Sequence, residues 1–243
     1  MAVMRTALVT GGAAGIGAEI CRGLLADGFH VVSVDRNRPD GSSPNRTDLV
    51  CDLCDPAATA AAARDIAQLG PVTHVVHNAG SIRANLLEAT SAADLAALSQ
   101  LHLGAAITLV QAVLPHMKAA GGGRIVMLSS RAALGAPTRS VYSATKAGVI
   151  GLVRTWSLEL AQHGITANAV APGPVGGTDM FHEVLPVGDP RIAGLAAAIP
   201  MKRLGTPQDV ANAVRFFLAD ASGFVTGQTL YVCGGASVGQ VPV

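Results

Sequence analysis

Charged residues are scarce in this chain, and neither sign dominates. Only 14% of the 243 residues are charged, with 17 basic and 16 acidic residues and a formal net charge of +1. A protein that follows a nucleic-acid backbone needs a basic surface to replace the counterions of the phosphates. The sequence has neither such an excess nor a block of like charges that would form a binding tail. It therefore predicts no nucleic-acid partner.

Long apolar runs and paired cysteines are also missing. No apolar run reaches the roughly 18 residues of a membrane span, and residues 1–5 lead directly into a strand pattern rather than a signal peptide. We therefore expect a cytoplasmic protein without a membrane partner. Four cysteines are too few for a disulfide framework in a chain of this length. Cys51 and Cys54 have C-x-x-C spacing, but no second Cys or His pair lies at zinc-site spacing, so we predict reduced thiols and no metal site.

Strand-like and helix-like segments alternate along the chain. The apolar, β-rich runs are residues 6–10, 30–34, a weaker run ending near 52, 74–77, 124–129, 166–171 and 229–232. The helical stretches are residues 17–27, 56–69, 91–120 with a break, 142–163 and 207–219. Half of the residues are hydrophobic, enough to cover both faces of a sheet. The pattern predicts one α/β domain, a Rossmann-like doubly wound parallel sheet with helices on both faces.

One segment breaks this alternation. Residues 173–205 contain several Pro and Gly residues and only a short helical candidate at 191–198. A loop of this length inside a compact domain is usually functional or mobile. We predict that it is a substrate lid.

A glycine-rich turn, Thr10-Gly-Gly-Ala-Ala-Gly-Ile-Gly17, follows the first predicted strand and opens the first helix. Gly11 permits a tight turn, Gly15 lets the backbone approach a pyrophosphate, and Gly17 allows close helix packing. The helix N-terminus then attracts phosphates. In this context the pattern predicts a dinucleotide-binding loop.

The second predicted strand ends at an acidic residue, Asp35. A carboxylate at this place accepts hydrogen bonds from a ribose 2′-hydroxyl and repels a 2′-phosphate. Arg36 and Arg38 follow directly and could hold a 2′-phosphate instead, but the glycine run adds no positive charge. The sequence therefore favours NAD over NADP.

Tyr142 and Lys146 lie four residues apart in a predicted helix, on one face. A nearby ammonium lowers the pKa of a phenol from about 10 toward neutrality. A phenol tuned in this way can act as a general acid and base.

With these residues assembled, the sequence resembles the short-chain dehydrogenase/reductase family over essentially its whole length. The resemblance rests on five motifs in order: the glycine run, Asn78-Ala-Gly80, Ser129-Ser130, Tyr142-x-x-x-Lys146 and Pro172-Gly173.

The resemblance implies a role for each matching residue. Tyr142 would exchange a proton with the substrate oxygen, Ser130 would polarise that oxygen, and Lys146 would lower the pKa of Tyr142 and bind the nicotinamide ribose. Ser129 is the alternative to Ser130, because the spacing from Ser130 to Tyr142 is one residue shorter than is common in the family. The cofactor contacts implied are Gly11, Gly15, Ile16, Gly17, Asp35, Asp52, Leu53, Asn78, Ala79, Gly80, Tyr142, Lys146, Pro172, Gly173, Val175 and Thr178.

One position departs from the family pattern. His102 stands where an asparagine usually bends a helix and holds a water of the proton relay. Two interpretations stay open: His102 is a neutral helix residue, or it anchors the water or relays protons itself, since imidazole can both donate and accept. We include it among the candidate catalytic residues.

The predicted function is NAD-dependent hydride transfer between a secondary alcohol and the corresponding ketone, by an oxidoreductase whose Tyr142 is the acid and base. Family resemblance further implies a homo-oligomer, either a dimer or a tetramer. Two alternatives stay open: an NADPH-dependent reductase of 3-oxoacyl thioesters, with Arg36 or Arg38 on the extra phosphate, and a non-catalytic nucleotide-binding regulatory protein on the same fold.

Overall fold

A computed structural model describes residues 5–238 and contains a seven-stranded, all-parallel sheet in the order β3-β2-β1-β4-β5-β6-β7. The strands are β1 (Thr6–Thr10), β2 (His30–Asp35), β3 (Arg46–Val50), β4 (Val72–His77), β5 (Gly123–Leu128), β6 (Ile165–Pro172) and β7 (Thr229–Val232). The predicted parallel sheet is confirmed, and each predicted strand is present within a few residues.

Eight α-helices accompany the sheet in the described part of the chain. They are α1 (Gly15–Ala26), α2 (Pro56–Gln68), α3 (Ala92–Ser99), α4 (Ala105–Ala119), α5 (Ser140–Leu160), α6 (Asp179–His182), α7 (Arg191–Ala198) and α8 (Pro207–Leu218). Strand side chains alternate between the two faces, so Leu8 packs with α2, α4 and α5, while Ala7 and Val9 pack with α1 and α8. Both faces of the sheet are therefore covered, as predicted.

The strand order places a crevice at the centre of the sheet. β1 pairs with β2 on one side and with β4 on the other. The chain therefore adds β2 and β3 on one side of β1 and then crosses over to add β4 to β7 on the other side. Loops that leave the carboxyl ends of β1 and β4 therefore diverge, and this is where ligands bind in open α/β sheets.

The predicted break in the long helix is a π-helical turn, Gln100–Gly104, between α3 and α4. The Ser91 side chain accepts a hydrogen bond from Asp94 N at 3.0 Å and caps α3, which confirms the predicted helix start. The combined helix, Ala92–Ala119, is long and apolar enough to cross a membrane by length and composition alone. Its Leu109, Val113 and Met117 are fully buried in the core, so core packing accounts for this apolar composition.

The segment 173–205 leaves and re-enters the domain at one place. Gly176 N donates to Gly205 O at 3.0 Å, and Gly205 N donates to Pro174 O at 2.9 Å. The predicted helix at 191–198 is present as α7, whereas the short α6 was not predicted. These two hydrogen bonds hold the two ends of the segment together beside the carboxyl end of β6.

Candidate functional site

The glycine-rich turn between β1 and α1 has the backbone that only glycine adopts readily. Gly11 and Gly15 have φ angles of +66° and +54°, which L side chains rarely adopt. A Cβ on Gly17 would collide with Gly11 O and lie 2.6 Å from Asn78 Nδ2. Ala14, the N-cap of α1, supplies no side-chain acceptor for the first N–H groups of the helix. The turn thus leaves free donors for an anionic group, which fits the pyrophosphate of a dinucleotide.

Asp35, at the end of β2, contacts the glycine-rich turn through its carboxylate. Its carboxylate accepts hydrogen bonds from Ala13 N and from Asn37 N, each at 3.0 Å. Arg36 and Arg38 are exposed, and neither forms an ion pair with a carboxylate among residues 5–238. A guanidinium is held there as well, because Arg46 Nη2 donates to Gly12 O at 3.1 Å while Arg46 Nε pairs with Asp48 at 2.7 Å. The glycine turn is therefore bonded both to the Asp35 carboxylate and to a guanidinium that already has an acidic partner.

Asn78 joins the two central strands at the crevice. Its Nδ2 donates to Thr10 O at 3.1 Å and to Gly11 O at 3.0 Å. In return, the Thr10 hydroxyl oxygen accepts from the backbone N–H groups of Asn78 and Ala79. Asn78 therefore holds the loop after β4 against the glycine turn.

Tyr142 and Lys146 both lie on the buried side of α5. The Lys146 Nζ is 5.8 Å from the centre of the Tyr142 ring and donates to Leu128 O at 2.8 Å. Because Leu128 O is at the carboxyl end of β5, this hydrogen bond fixes the ammonium beside the crevice.

The two serines after β5 have different partners. The Ser129 hydroxyl is buried and donates to Lys146 O at 2.7 Å, so it is committed to the backbone of α5. The Ser130 hydroxyl accepts from Ala132 N at 3.1 Å and lies close enough to Tyr142 to favour the ionised phenol. Of the two hydroxyls, only that of Ser130 acts on the pKa of the tyrosine.

Burial, rather than Lys146, determines the direction of the pKa shift at Tyr142. Removal from water raises the pKa of the phenol, while the Ser130 side chain and the Arg139 charge act in the opposite direction. Burial also lowers the pKa of Lys146 to about 7, so this group carries only part of a charge near neutrality. The sequence-based expectation that Lys146 brings the phenol toward neutrality is thus not met by these side chains alone.

His102 lies in the π turn and is completely buried. Its Nε2 accepts a hydrogen bond from Ser81 N at 3.3 Å, which leaves the ring proton on Nδ1, 2.9 Å from the Thr145 hydroxyl oxygen. The ring meets Tyr142 edge to face, with centroids 5.7 Å apart. Both ring nitrogens therefore have protein partners.

A second buried histidine, His77, explains the shape of the turn. Ala105 N bonds to Gln100 O, so its usual α-helical acceptor, Leu101 O, is available and accepts from His77 Nε2 at 3.0 Å. The other ring nitrogen of His77 is 3.1 Å from the Thr10 hydroxyl. The two histidines thus connect β1, the π turn and α5 beneath the crevice. The sequence analysis did not predict this network, because its members are far apart in the chain.

These contacts favour a positioning role for His102 over proton relay. Burial, reinforced by the charge of Lys146, pushes the pKa of His102 far below its usual range, so the ring is neutral at any working pH. A neutral ring with both nitrogens bonded to protein has no free group to exchange protons with a water. Its edge contact and its hydrogen bond to Thr145 instead hold Tyr142 and α5 in place.

Substitution of His102 separates the two interpretations. We expect His102→Ala to lower the free energy of unfolding by about 2–5 kcal/mol, because it leaves a cavity and an unpaired Ser81 N–H. His102→Asn keeps one donor and one acceptor and should recover part of this loss. Urea unfolding measures the effect. A pH profile of turnover that loses an ionisation in His102→Asn would contradict the positioning role and favour proton relay.

A cavity of about 320 Å³ lies at the carboxyl ends of β4, β5 and β6. The predicted site residues that line it are Ile16, Asn78, Gly80, Ser130, Tyr142, Lys146, Pro172, Gly173, Val175 and Thr178. Residues far apart in the sequence thus meet at one place.

Other predicted residues lie away from the cavity wall. His102 is beneath it, and Gly11, Gly15, Gly17, Asp35 and Ala79 form or support the neighbouring glycine turn. The Thr178 methyl is 3.4 Å from where a Cβ of Gly15 would stand, so this threonine connects the turn to the cavity. Asp52 accepts from Cys54 N, and the Leu53 side chain packs in the core. The cofactor contacts implied for Asp52 and Leu53 stay predictions.

Apolar residues of the predicted lid form one wall of the cavity. Met180, Phe181, Val184, Leu185 and Leu195 line it. The polar lid residues are occupied elsewhere: His182 bonds to Leu185 O, Arg191 pairs with Asp189, and Lys202 donates to Ala197 O. Arg131 and Arg139 also line the cavity.

This arrangement can move a proton and bind a carbonyl or hydroxyl oxygen beside a dinucleotide groove. Tyr142 and Ser130 supply two hydroxyl groups on one wall, and Lys146 supplies a nitrogen whose pKa is near neutrality. A nicotinamide dinucleotide, when bound, supplies the hydride chemistry that these side chains lack.

Comparison with known proteins identifies the family. Residues 11–237 match a family model described as enoyl-(acyl carrier protein) reductase. The chain is 38% identical to the (2S)-[(R)-hydroxy(phenyl)methyl]succinyl-CoA dehydrogenase subunit BbsD of Thauera aromatica, covering 96% of this chain and 97% of the relative. It is 35% identical to the 3-oxoacyl-[acyl-carrier-protein] reductase FabG of Salmonella typhimurium, with 95% and 96% covered.

Solved structures agree with this result. A crystal structure from Beutenbergia cavernae, provisionally assigned as an NAD(P)-dependent gluconate 5-dehydrogenase and containing NADP at low occupancy, superposes with a TM-score of 0.86 at 35% identity, over 95% of this chain and 96% of that one. The fold, the motifs and their arrangement around one cavity agree with these relatives over nearly the whole chain. The chain therefore belongs to the short-chain dehydrogenase/reductase family of oxidoreductases.

Proposed function

We propose that this oxidoreductase transfers a hydride between a secondary alcohol or its ketone and NAD, with Tyr142 as the acid and base. The observation that carries the proposal is the convergence of Ser130, Tyr142 and Lys146 on one cavity next to the glycine turn. All three groups can take part in binding the substrate oxygen or in moving its proton. The apolar residues of the lid suit the carbon skeleton of an alcohol.

The residues divide the work as follows. The Ser130 and Tyr142 hydroxyls hold the substrate oxygen, and the Tyr142 oxygen takes its proton during oxidation or returns it during reduction. Lys146 is anchored by Leu128 O beside the phenol, and its pKa of about 7 lets it take or release a proton near neutrality. Met180, Phe181 and Leu185 exclude water from this side of the cavity.

The choice of NAD rests on Asp35. Its carboxylate is held by two backbone N–H groups at the end of β2, where a negative charge repels a 2′-phosphate. The NADP in the Beutenbergia cavernae structure supports the opposite preference, so the cofactor needs a direct test.

We expect the wild-type protein to use NAD at least about tenfold more efficiently than NADP, and Asp35→Ser to reduce or reverse this ratio, because it removes a like-charge repulsion. Initial rates with both cofactors measure the effect. Asp40→Ser, an exposed change in the same loop, is the control and should leave the ratio unchanged. A wild-type preference for NADP would overturn the role given to Asp35.

A second candidate function is an NADPH-dependent reductase of 3-oxoacyl thioesters. The 35% identity to the 3-oxoacyl-[acyl-carrier-protein] reductase FabG favours it. A screen of NAD and NADP with acyclic, cyclic, aryl and polyol secondary alcohols, and of NADH and NADPH with the matching ketones and a 3-oxoacyl thioester, separates the candidates. Activity confined to NADPH and the thioester would replace our proposal. Tight cofactor binding without turnover of any compound would favour the non-catalytic alternative.

We also propose a cytoplasmic homo-oligomer. Leu158 on α5 and Phe224 before β7 are large apolar side chains that are almost fully exposed in the single chain, as expected for residues covered by a second copy. The core packing of the one long apolar helix in the described residues argues against a membrane-spanning role for that helix.

A further inference from the structure

The cavity is lined by basic side chains as well as by the apolar residues of the lid. Arg131, Arg139 and Lys146 line the cavity, and none of its described lining residues is acidic. Neither arginine forms an ion pair with a carboxylate anywhere in residues 5–238. A partly buried cation without a counterion is costly unless a ligand supplies the negative charge.

Arg139 is held in place by a strained residue. Thr138 has a φ angle of +61°, an outlier for a β-branched residue. This conformation brings both the Thr138 carbonyl oxygen and its hydroxyl oxygen to Arg139 Nη1, at 3.1 and 2.6 Å. The same carbonyl accepts from Asn85 N at 3.0 Å. Strain of this kind persists where the surroundings enforce it, and it is concentrated at binding sites.

The remaining donors of Arg139 are available. Only Nη1 bonds to protein in the described residues, so Nε and Nη2 keep their N–H groups. The guanidinium is also close enough to the reacting centre to lower the pKa of Tyr142. A ligand bound to Arg139 would therefore share the cavity with the tyrosine hydroxyl.

We propose that the substrate carries a carboxylate, and that Arg139 binds it. This inference rests on the proposed function and specifies its substrate class: a secondary alcohol or ketone with an apolar body against Ile82, Phe181 and Leu185, and an acid group at Arg139. The planar guanidinium matches a carboxylate by two parallel hydrogen bonds. Arg131 begins a 3-10 helical turn directly after Ser130 and adds a second positive charge to the lining of the cavity.

An anionic group could also come from a carrier, such as the phosphates of a coenzyme A thioester. The test therefore uses stable aryl, cyclic and alkyl keto acids, each with its methyl ester and its coenzyme A thioester. One probe set is 4-oxo-4-phenylbutanoate with these two derivatives. Binding to the protein loaded with its reduced cofactor is followed by cofactor fluorescence, and turnover by absorbance.

For at least one probe set we expect the acid to bind about 30-fold or more tightly than its ester, the effect of one charge-assisted pair. The ratio should approach one in Arg139→Gln, recover in part in Arg139→Lys, and stay unchanged in Arg154→Gln, an exposed control in helix α5, which begins directly after Arg139.

Three results would overturn the inference: no acid binds better than its ester, the acid-to-ester ratio persists in Arg139→Gln, or only thioesters bind and Arg139→Gln leaves their affinity unchanged. Acid binding that depends on Arg139, without reduction of any ketone, would support the inference and contradict the proposed function instead. The binding measurements therefore test the inference, and the turnover measurements separately test the proposed function.

Discussion

Tyr142→Phe is expected to lower turnover by about 10²- to 10⁴-fold, the usual contribution of a positioned acid or base. The substitution removes only the phenolic oxygen, and the ring keeps its edge contact with His102. Cofactor affinity and thermal stability should therefore change little. Steady-state rates in both directions, together with a cofactor titration, measure the effect.

The chain supplies a matched control for this change. Tyr231 on β7 is the other of the two tyrosines, and Tyr231→Phe removes the same atom outside the cavity. We expect near wild-type turnover from it. Undiminished turnover in Tyr142→Phe would refute the acid and base assignment and remove the main support for the proposed mechanism.

The same tyrosine gives a direction for the pH dependence. Because burial raises the pKa of Tyr142, the phenol is protonated at neutral pH and ready to donate to a ketone. Alcohol oxidation needs the ionised phenol, so its rate should rise as the pH increases, while the rate of ketone reduction should fall. The slope of oxidation against pH should disappear in Tyr142→Phe.

Gly17→Ala is the second change for which we expect a large effect. The added methyl would collide with Gly11 O, and Asn78 Nδ2 lies 2.6 Å from its position. Both neighbours belong to the hydrogen-bonded junction between β1 and β4, so neither can move without breaking it. We expect a loss of about 3 kcal/mol or more in the free energy of unfolding, which is at the upper end for overpacking.

Cofactor binding should be lost together with this stability, because the same collision displaces the turn that receives the pyrophosphate. Urea unfolding and a cofactor titration measure the two effects. Gly194→Ala in α7 is the control, since a Cβ there meets nothing within 4 Å, and it should be neutral or stabilising by up to about 1 kcal/mol. A Gly17→Ala protein with normal stability and cofactor affinity would contradict the packing role of this glycine.

Local patterns in the sequence were sufficient for the architecture. Alternation of apolar strands with helical periods follows from burial on both faces of a parallel sheet, and the structure confirms every predicted strand and the helix break at residues 100–104. The glycine turn and the Tyr142–Lys146 pair were also predictable from local patterns, because each depends on residue spacing within one turn or one helix.

Contacts between distant segments were not predictable from such patterns. The choice between Ser129 and Ser130 depended on which of the two hydroxyls donates a hydrogen bond to the backbone of α5. The part played by His102 depended on Ser81 and Thr145, and that of Arg139 on a strained Thr138 held by Asn85.

By itself, then, the sequence determined the α/β fold, the glycine turn and the residues that could carry proton transfer, because these follow from local spacing and the periodicity of burial. The tertiary structure decided which of those residues share a cavity, that burial rather than Lys146 sets the direction of the Tyr142 pKa shift, and that basic side chains line the cavity together with apolar ones. These properties depend on desolvation and on the distances between charges, which arise only when segments far apart in the chain pack together.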